Sequence, residues 1–146
     1  MHQRSRTTHR GRIGRATALV AAATITAGLA GCEPATTVLD VVYRDGGGGT
    51  VSYTVECGPD LASITPAIAG LDADRACAVV AAETALLTQG PPAGRICAQQ
   101  YHGPQQAQVT GHVDDASVAL ALRRNNGCVE SDWRRLTGLV IRPASR

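Results

Sequence analysis

The chain has 146 residues, 44% of them apolar, with one Trp, three Tyr, no Phe and a formal charge of +2. That length allows one small domain with a thin core. Five of its arginines (Arg4, Arg6, Arg10, Arg12 and Arg15) precede Cys32 and all twelve acidic residues follow it. The part after Cys32 therefore carries a net −3, which argues against a nucleic-acid partner, since that would need a basic face.

The first 31 residues have the three parts of an export signal: the five arginines, an uncharged stretch from Ala16 to Ala30, and small residues before a cut. The apolar stretch is shorter than the roughly 20 residues of a membrane-spanning helix. No two arginines of this basic region are adjacent, which argues against twin-arginine export. Leu29, Ala30, Gly31 and Cys32 resemble the lipobox of bacterial lipoproteins, in which the cysteine sulfur is lipidated and the chain is cut just before it. The resemblance implies a signal peptide over 1–31, lipidation at Cys32, a tether over 32–37 and a domain over 38–146. The protein would then lie outside the cytoplasm, anchored to the bacterial cell membrane by two acyl chains, which suffice for stable attachment.

Beyond the tether, Leu39, Val41 and Tyr43 alternate with Asp40 and Val42, and Val51, Tyr53, Val55 and Cys57 alternate with Ser52, Thr54 and Glu56. Two such runs around Gly46–Gly49 predict a β-hairpin. The glycines lack the lysine and the following helix of a phosphate-binding loop, so they read as a turn. Prolines and glycines from Gly58 to Gly70 predict an irregular connection. Asp72 or Asp74 can cap a helix from about Arg75 to Thr88, with Cys77, Val80, Ala81, Thr84 and Leu87 on one face. Gln89 to Gly94, with two prolines, ends it.

A second hairpin is expected from Ala107, Val109 and Val113, the turn at Asp114 and Asp115, and Val118, Leu120 and Leu122. A short helix follows Cys128 through Trp133, and Leu139 to Ile141 reads as a closing strand. The sum is an α+β fold: an antiparallel sheet of five strands packed with one main helix and a short second one. Trp133 is expected in or at the edge of the core.

Cys57, Cys77, Cys97 and Cys128 in an oxidising compartment predict two disulfides, each worth about 3 to 4 kcal/mol if paired sequentially. After the signal only His102 and His112 remain as histidines, neither at zinc-ligand spacing from a partner. No catalytic group, metal site or cofactor is indicated.

Cys97, Ala98, Gln99, Gln100, Tyr101, His102, Gly103 and Pro104, followed by Asn125, Asn126, Gly127, Cys128 and Trp133, resemble in their order the Streptomyces subtilisin inhibitor family. The resemblance runs from about Leu39 to Val140. Members are small secreted dimers that block subtilisin-like, and sometimes trypsin-like, serine proteases. It implies a homodimer and the disulfides Cys57 with Cys77 and Cys97 with Cys128. It also implies a reactive loop of Ala98, Gln99, Gln100 and Tyr101, with the cleavable bond between Gln99 and Gln100. Such a loop is offered as a substrate but held so rigidly that it binds tightly and is cut slowly.

Three departures from the family pattern matter. Family members commonly carry Met, Leu, Lys or Arg where this chain has Gln99, and often Pro or Thr where it has Ala98, and one extra residue precedes Pro104. Gln99 cannot pair with the carboxylate of a trypsin-type pocket, so a subtilisin-like target is expected. The alternative is a tethered, non-inhibitory binding module on the same scaffold. It would hold another envelope component through the sheet or through Gln99, Gln100, Gln105, Gln106 and Gln108.

Overall fold

A computed structural model describes residues 36–143. The signal segment and Cys32 lie outside the described residues. The elements run β1 (Thr37–Arg44), β2 (Thr50–Gly58), β3 (Leu61–Thr65), α1 (Ala73–Ala82), α2 (Thr84–Gln89), β4 (Gln106–Val113), β5 (Ala116–Arg123) and α3 (Gly127–Arg135). Thr37, at the end of the expected tether, is already the first, buried residue of β1. All five strands join one antiparallel sheet in the order β3-β2-β1-β4-β5. The expected α+β class and five-stranded antiparallel sheet are present.

The period-2 alternation sets which face is buried. Leu39, Val41 and Tyr43 of β1 stand opposite Val55, Tyr53 and Val51 on one side. On the other side they stand opposite Gly111, Val109 and Ala107, and Leu120 and Leu122 continue the rows on β5. These residues form one face, covered by the helices and closed by Trp133, Leu136, Leu139 and Val140. Trp133 is thus a core residue, packed edge-on against Tyr43 with ring centroids 6.3 Å apart.

Three expectations change. The span from Gly58 to Gly70 is not wholly irregular: Leu61–Thr65 forms β3, paired with the end of β2 so that Ile64 opposes Val55. Pro59 and Pro66 flank this strand, where an edge position tolerates them, and its five residues are mostly exposed with no period-2 alternation to announce it.

The main helix is two helices. At Glu83 the backbone leaves the helical region (φ −115°, ψ 19°), and the Thr84 hydroxyl donates back to the Val80 carbonyl at 2.9 Å. The break turns the buried face, so Ala76, Val80, Leu86 and Leu87 are inside while Ala81 is exposed. Of the two candidate caps, Asp72 takes the role, accepting from the Arg75 amide at 2.8 Å.

Leu139 to Ile141 is not a strand. It belongs to a buried turn in which Leu139 and Val140 amides both donate to the Leu136 carbonyl, with one isolated bridge between Thr137 and Val140. Side chains complete its hydrogen bonding: the Tyr53 hydroxyl donates to the Leu139 carbonyl at 2.8 Å and the Trp133 indole to that of Ile141 at 3.3 Å. Burial of Tyr53 pushes its phenol pKa well above the usual value.

Candidate functional site: a stapled surface loop

Between α2 and β4 the chain runs without regular structure from Gly90 to Gln105. This stretch sits at the end of the sheet where Arg44, Gln106 and Arg123 lie side by side on β1, β4 and β5. From Arg95 onward it is fixed at successive points, with one short gap.

Before the gap, Arg95 forms a two-pronged ion pair with Asp132 of α3, at 2.8 and 2.6 Å. Asp132 is 1% exposed, so the guanidinium supplies what water would otherwise supply to its carboxylate. Cys97 is bonded to Cys128 in the first turn of α3, with the two Cα atoms 5.3 Å apart. The Gly127 amide donates to the Ala98 carbonyl at 2.9 Å. Asn126 caps α3 by accepting from the Val129 amide at 3.0 Å, and so sets the start of the helix that carries these anchors.

After the gap, the His102 amide donates to the Arg124 carbonyl at 2.8 Å. The same arginine's side chain donates to Glu130 at 2.7 and 3.1 Å and to the Gln105 side-chain oxygen at 2.9 Å, and stands 5.9 Å over the Trp133 ring. Arg124 thus joins the loop's exit to α3 and the core. Its hydrogen bond holds the Glu130 carboxyl below the usual range against the opposing effect of burial.

Two glycines make this exit possible. A Cβ on Gly46, in the β1–β2 turn, would fall 2.4 Å from Pro104 Cβ, so the turn and the loop touch only because no side chain is there. The turn is held in shape by the Asp45 carboxylate, which accepts from the Gly47 and Gly49 amides at 2.7 and 2.9 Å. Gly103 has φ of 144°, and a Cβ there would meet the Gln105 oxygen that Arg124 holds.

Within the gap lie Gln99, Gln100 and Tyr101, all exposed. Among the described residues, no hydrogen bond ties their backbone groups to the rest of the domain; the Gln99 side chain reaches only the Cys97 carbonyl, at 3.3 Å. Large apolar side chains are exposed at three described positions, and two of them belong to this loop: Ile96 (101%) before the staple and Tyr101 (67%) within the gap.

The residues singled out in the sequence therefore fall as follows. Ala98, Gln99, Gln100 and Tyr101 form one exposed, end-fixed segment. Cys97 and Cys128 form its staple, and Cys57 and Cys77 form the other disulfide, joining β2 to α1 with Cα atoms 5.6 Å apart. The glutamine strip divides: Gln105 is bound to Arg124, whereas Gln106 and Gln108 are exposed on the sheet's outer face. Arg95, Ile96, Arg124, Glu130, Asp132 and Gly46 were not foreseen. Ile96 stood next to the cysteine and was legible as an apolar residue in a polar loop, but the ion-pair partners are 37 and 6 residues apart, with no motif to join them.

Among the described residues no group of three or more His, Cys, Asp or Glu could hold a metal ion. His102 lies in the loop and His112 near the far end of β4. No helix among the described residues is long and apolar enough to cross a membrane. Two disulfides fit an oxidising compartment outside the cytoplasm. Comparison with known proteins finds no matching family model and no matching curated protein.

Proposed function

We propose that the domain is a substrate-like inhibitor of a subtilisin-type serine protease, displayed outside the cytoplasm on a lipid anchor at Cys32, and that the Gln99–Gln100 peptide bond enters the protease's catalytic centre. The observation that carries the reading is the pinning of a short exposed segment at both ends, by the Cys97–Cys128 bond and the Ala98 carbonyl on one side and the His102 amide on the other. A protease binds its substrate as an extended strand, so a segment already immobilised loses little further entropy on binding. The same fixation keeps the two halves of a cut bond together, so that rejoining competes with release. Backbone groups of Gln99 to Tyr101 that are unpaired within the domain are free to pair with a protease cleft.

Gln99 is the side chain offered to the primary pocket, and it is neutral and polar. The test is inhibition by the isolated domain and two variants. Gln99→Met should tighten binding to a subtilisin-type protease, and Gln99→Arg should create binding to a trypsin-type one, each by tenfold or more, where about 1.4 kcal/mol corresponds to tenfold. Three folded, disulfide-bonded proteins that all fail to inhibit would replace this reading with that of a tethered binding module. For the anchor, palmitate label should enter the wild type and not Cys32→Ser.

A further inference from the structure

The position of the loop relative to the start of the domain bears on what kind of protease it meets. Thr37 opens β1 at the end of the sheet shared with Cys57 of β2 and with the β4–β5 turn at Asp114 and Asp115. Arg44 closes β1 at the other end, beside the Gly46 turn on which Pro104 rests. The eight residues of β1 therefore separate the start of the domain from the loop, a distance on the order of 24 Å at about 3.4 Å per residue. Between Cys32 and Thr37 the chain can stretch at most about 18 Å, at up to roughly 3.6 Å per residue.

The comparison of these two lengths excludes one orientation. To press the loop against the membrane the domain would have to invert, raising Thr37 by at least the length of β1, and the tether is shorter than that. An anchor at the opposite end of the strand leaves the loop facing outward, or level with the anchor if the domain lies on its side, and the quenching test below separates the two. We infer that the anchored domain holds the Gln99–Gln100 segment away from the membrane, and that its partner is a water-soluble protease arriving from the surrounding fluid rather than one whose active site lies at or within the same membrane. This rests on the inhibitor reading for the identity of the partner and on lipidation at Cys32 for the anchor; β1 supplies the distance between the anchored end and the loop.

The test uses the full chain, made as a lipoprotein and reconstituted in vesicles whose headgroups carry an energy acceptor. A donor dye is placed at Asp115→Cys or at Asn125→Cys, both exposed, at opposite ends of the sheet. Strong quenching at position 115 and weak quenching at 125 is expected; equal or reversed quenching would overturn the orientation, as would absence of lipid at Cys32. In the second arm, vesicle-borne wild type should inhibit a soluble subtilisin-type protease within about threefold of the free Cys32→Ser domain. A domain coupled to lipid through Gly47→Cys instead, in the turn beside the loop, should lose about a hundredfold or more. Equal inhibition from both anchor positions would overturn the outward-facing partner. A free domain that does not inhibit at all removes the protease, while the quenching comparison still decides the geometry.

Discussion

The two disulfides close loops of similar size, with sequence separations of 20 and 31, yet they serve different surroundings. Cys57–Cys77 joins a strand to a helix where Val55, Ala76 and Val80 already pack, so it reinforces an arrangement that the core also favours. Cys97–Cys128 holds a segment whose nearest large apolar side chains, Ile96 and Tyr101, face solvent. The first bond repeats what burial does. The second substitutes for burial, with the Arg95 and Arg124 ion pairs as its companions. The lesson is that one kind of bond can contribute similarly to global stability and still differ in what it does to the native state.

Removing either bond tests this, and carries the largest expected effect. Cys57→Ala with Cys77→Ala, and Cys97→Ala with Cys128→Ala, should each lower unfolding free energy by about 3 kcal/mol, because each frees a loop of comparable length in the unfolded chain. Only the second pair should speed amide exchange at Gln99 to Tyr101 and expose the Gln99–Gln100 bond to rapid cutting. Denaturant titration and exchange measured on both variants would break the comparison if the loop responded equally to the two.

The ion pair at the loop's entrance comes next. Asp132→Asn keeps the shape but leaves Arg95 facing a neutral amide, and hydrogen bonds to charged groups are worth about 1.5 to 3 kcal/mol. A loss of about 2 kcal/mol is expected, with faster exchange around Ala98, and with Arg95→Ala adding little in the double variant because the two belong to one interaction. Additive losses would show that Arg95 acts elsewhere. At the exit, Gly46→Ala brings a methyl group against Pro104 at a backbone angle of φ 82°, which L side chains rarely adopt. Strain of that kind costs about 1 to 2 kcal/mol, and the shift should appear in thermal unfolding while the Cys57–Cys77 region keeps its exchange protection.

Legibility from sequence followed the range of the interactions. Alternation along Leu39–Tyr43, Val51–Cys57, Ala107–Val113 and Val118–Leu122 marked four of the strands, because a strand's buried face is written in every second residue. The five residues of β3 carried no such alternation, because this edge strand buries neither face fully, and Pro59 and Pro66 beside it read as a loop. Leu139 to Ile141 misled because a short apolar run is equally suited to a strand and to a core-filling turn, and only Tyr53 and Trp133, from other elements, decide which. At the loop, Cys97 and the Gly103–Pro104 turn could be read locally, whereas Asp132, Glu130 and Gly46 act across the fold. Their roles depend on which side chains meet, and a single sequence does not state that.

Glu130 gives the smallest effect and the finest test of the contrast between the two regions, because it can be titrated without a substitution. Its carboxyl lies below the ordinary value of 4.5, chiefly through the hydrogen bond from Arg124. A depressed folded-state pKa means that the unfolded chain takes up the proton first as pH falls. The contribution is therefore complete above the ordinary carboxylate range and is lost as pH drops through the lower folded value. Protonation weakens the grip on Arg124, which also carries the His102 amide and Gln105, so loosening should begin at the loop's exit before the sheet responds. Glu130→Gln should be less stable than wild type near neutral pH, and the gap should narrow in acid below the ordinary carboxylate range. Exchange at His102 read in parallel should rise in the wild type over that same window and stay flat in the variant. If instead the gap holds constant with pH, the Arg124 link is not what holds the exit, and the disulfide alone bears it.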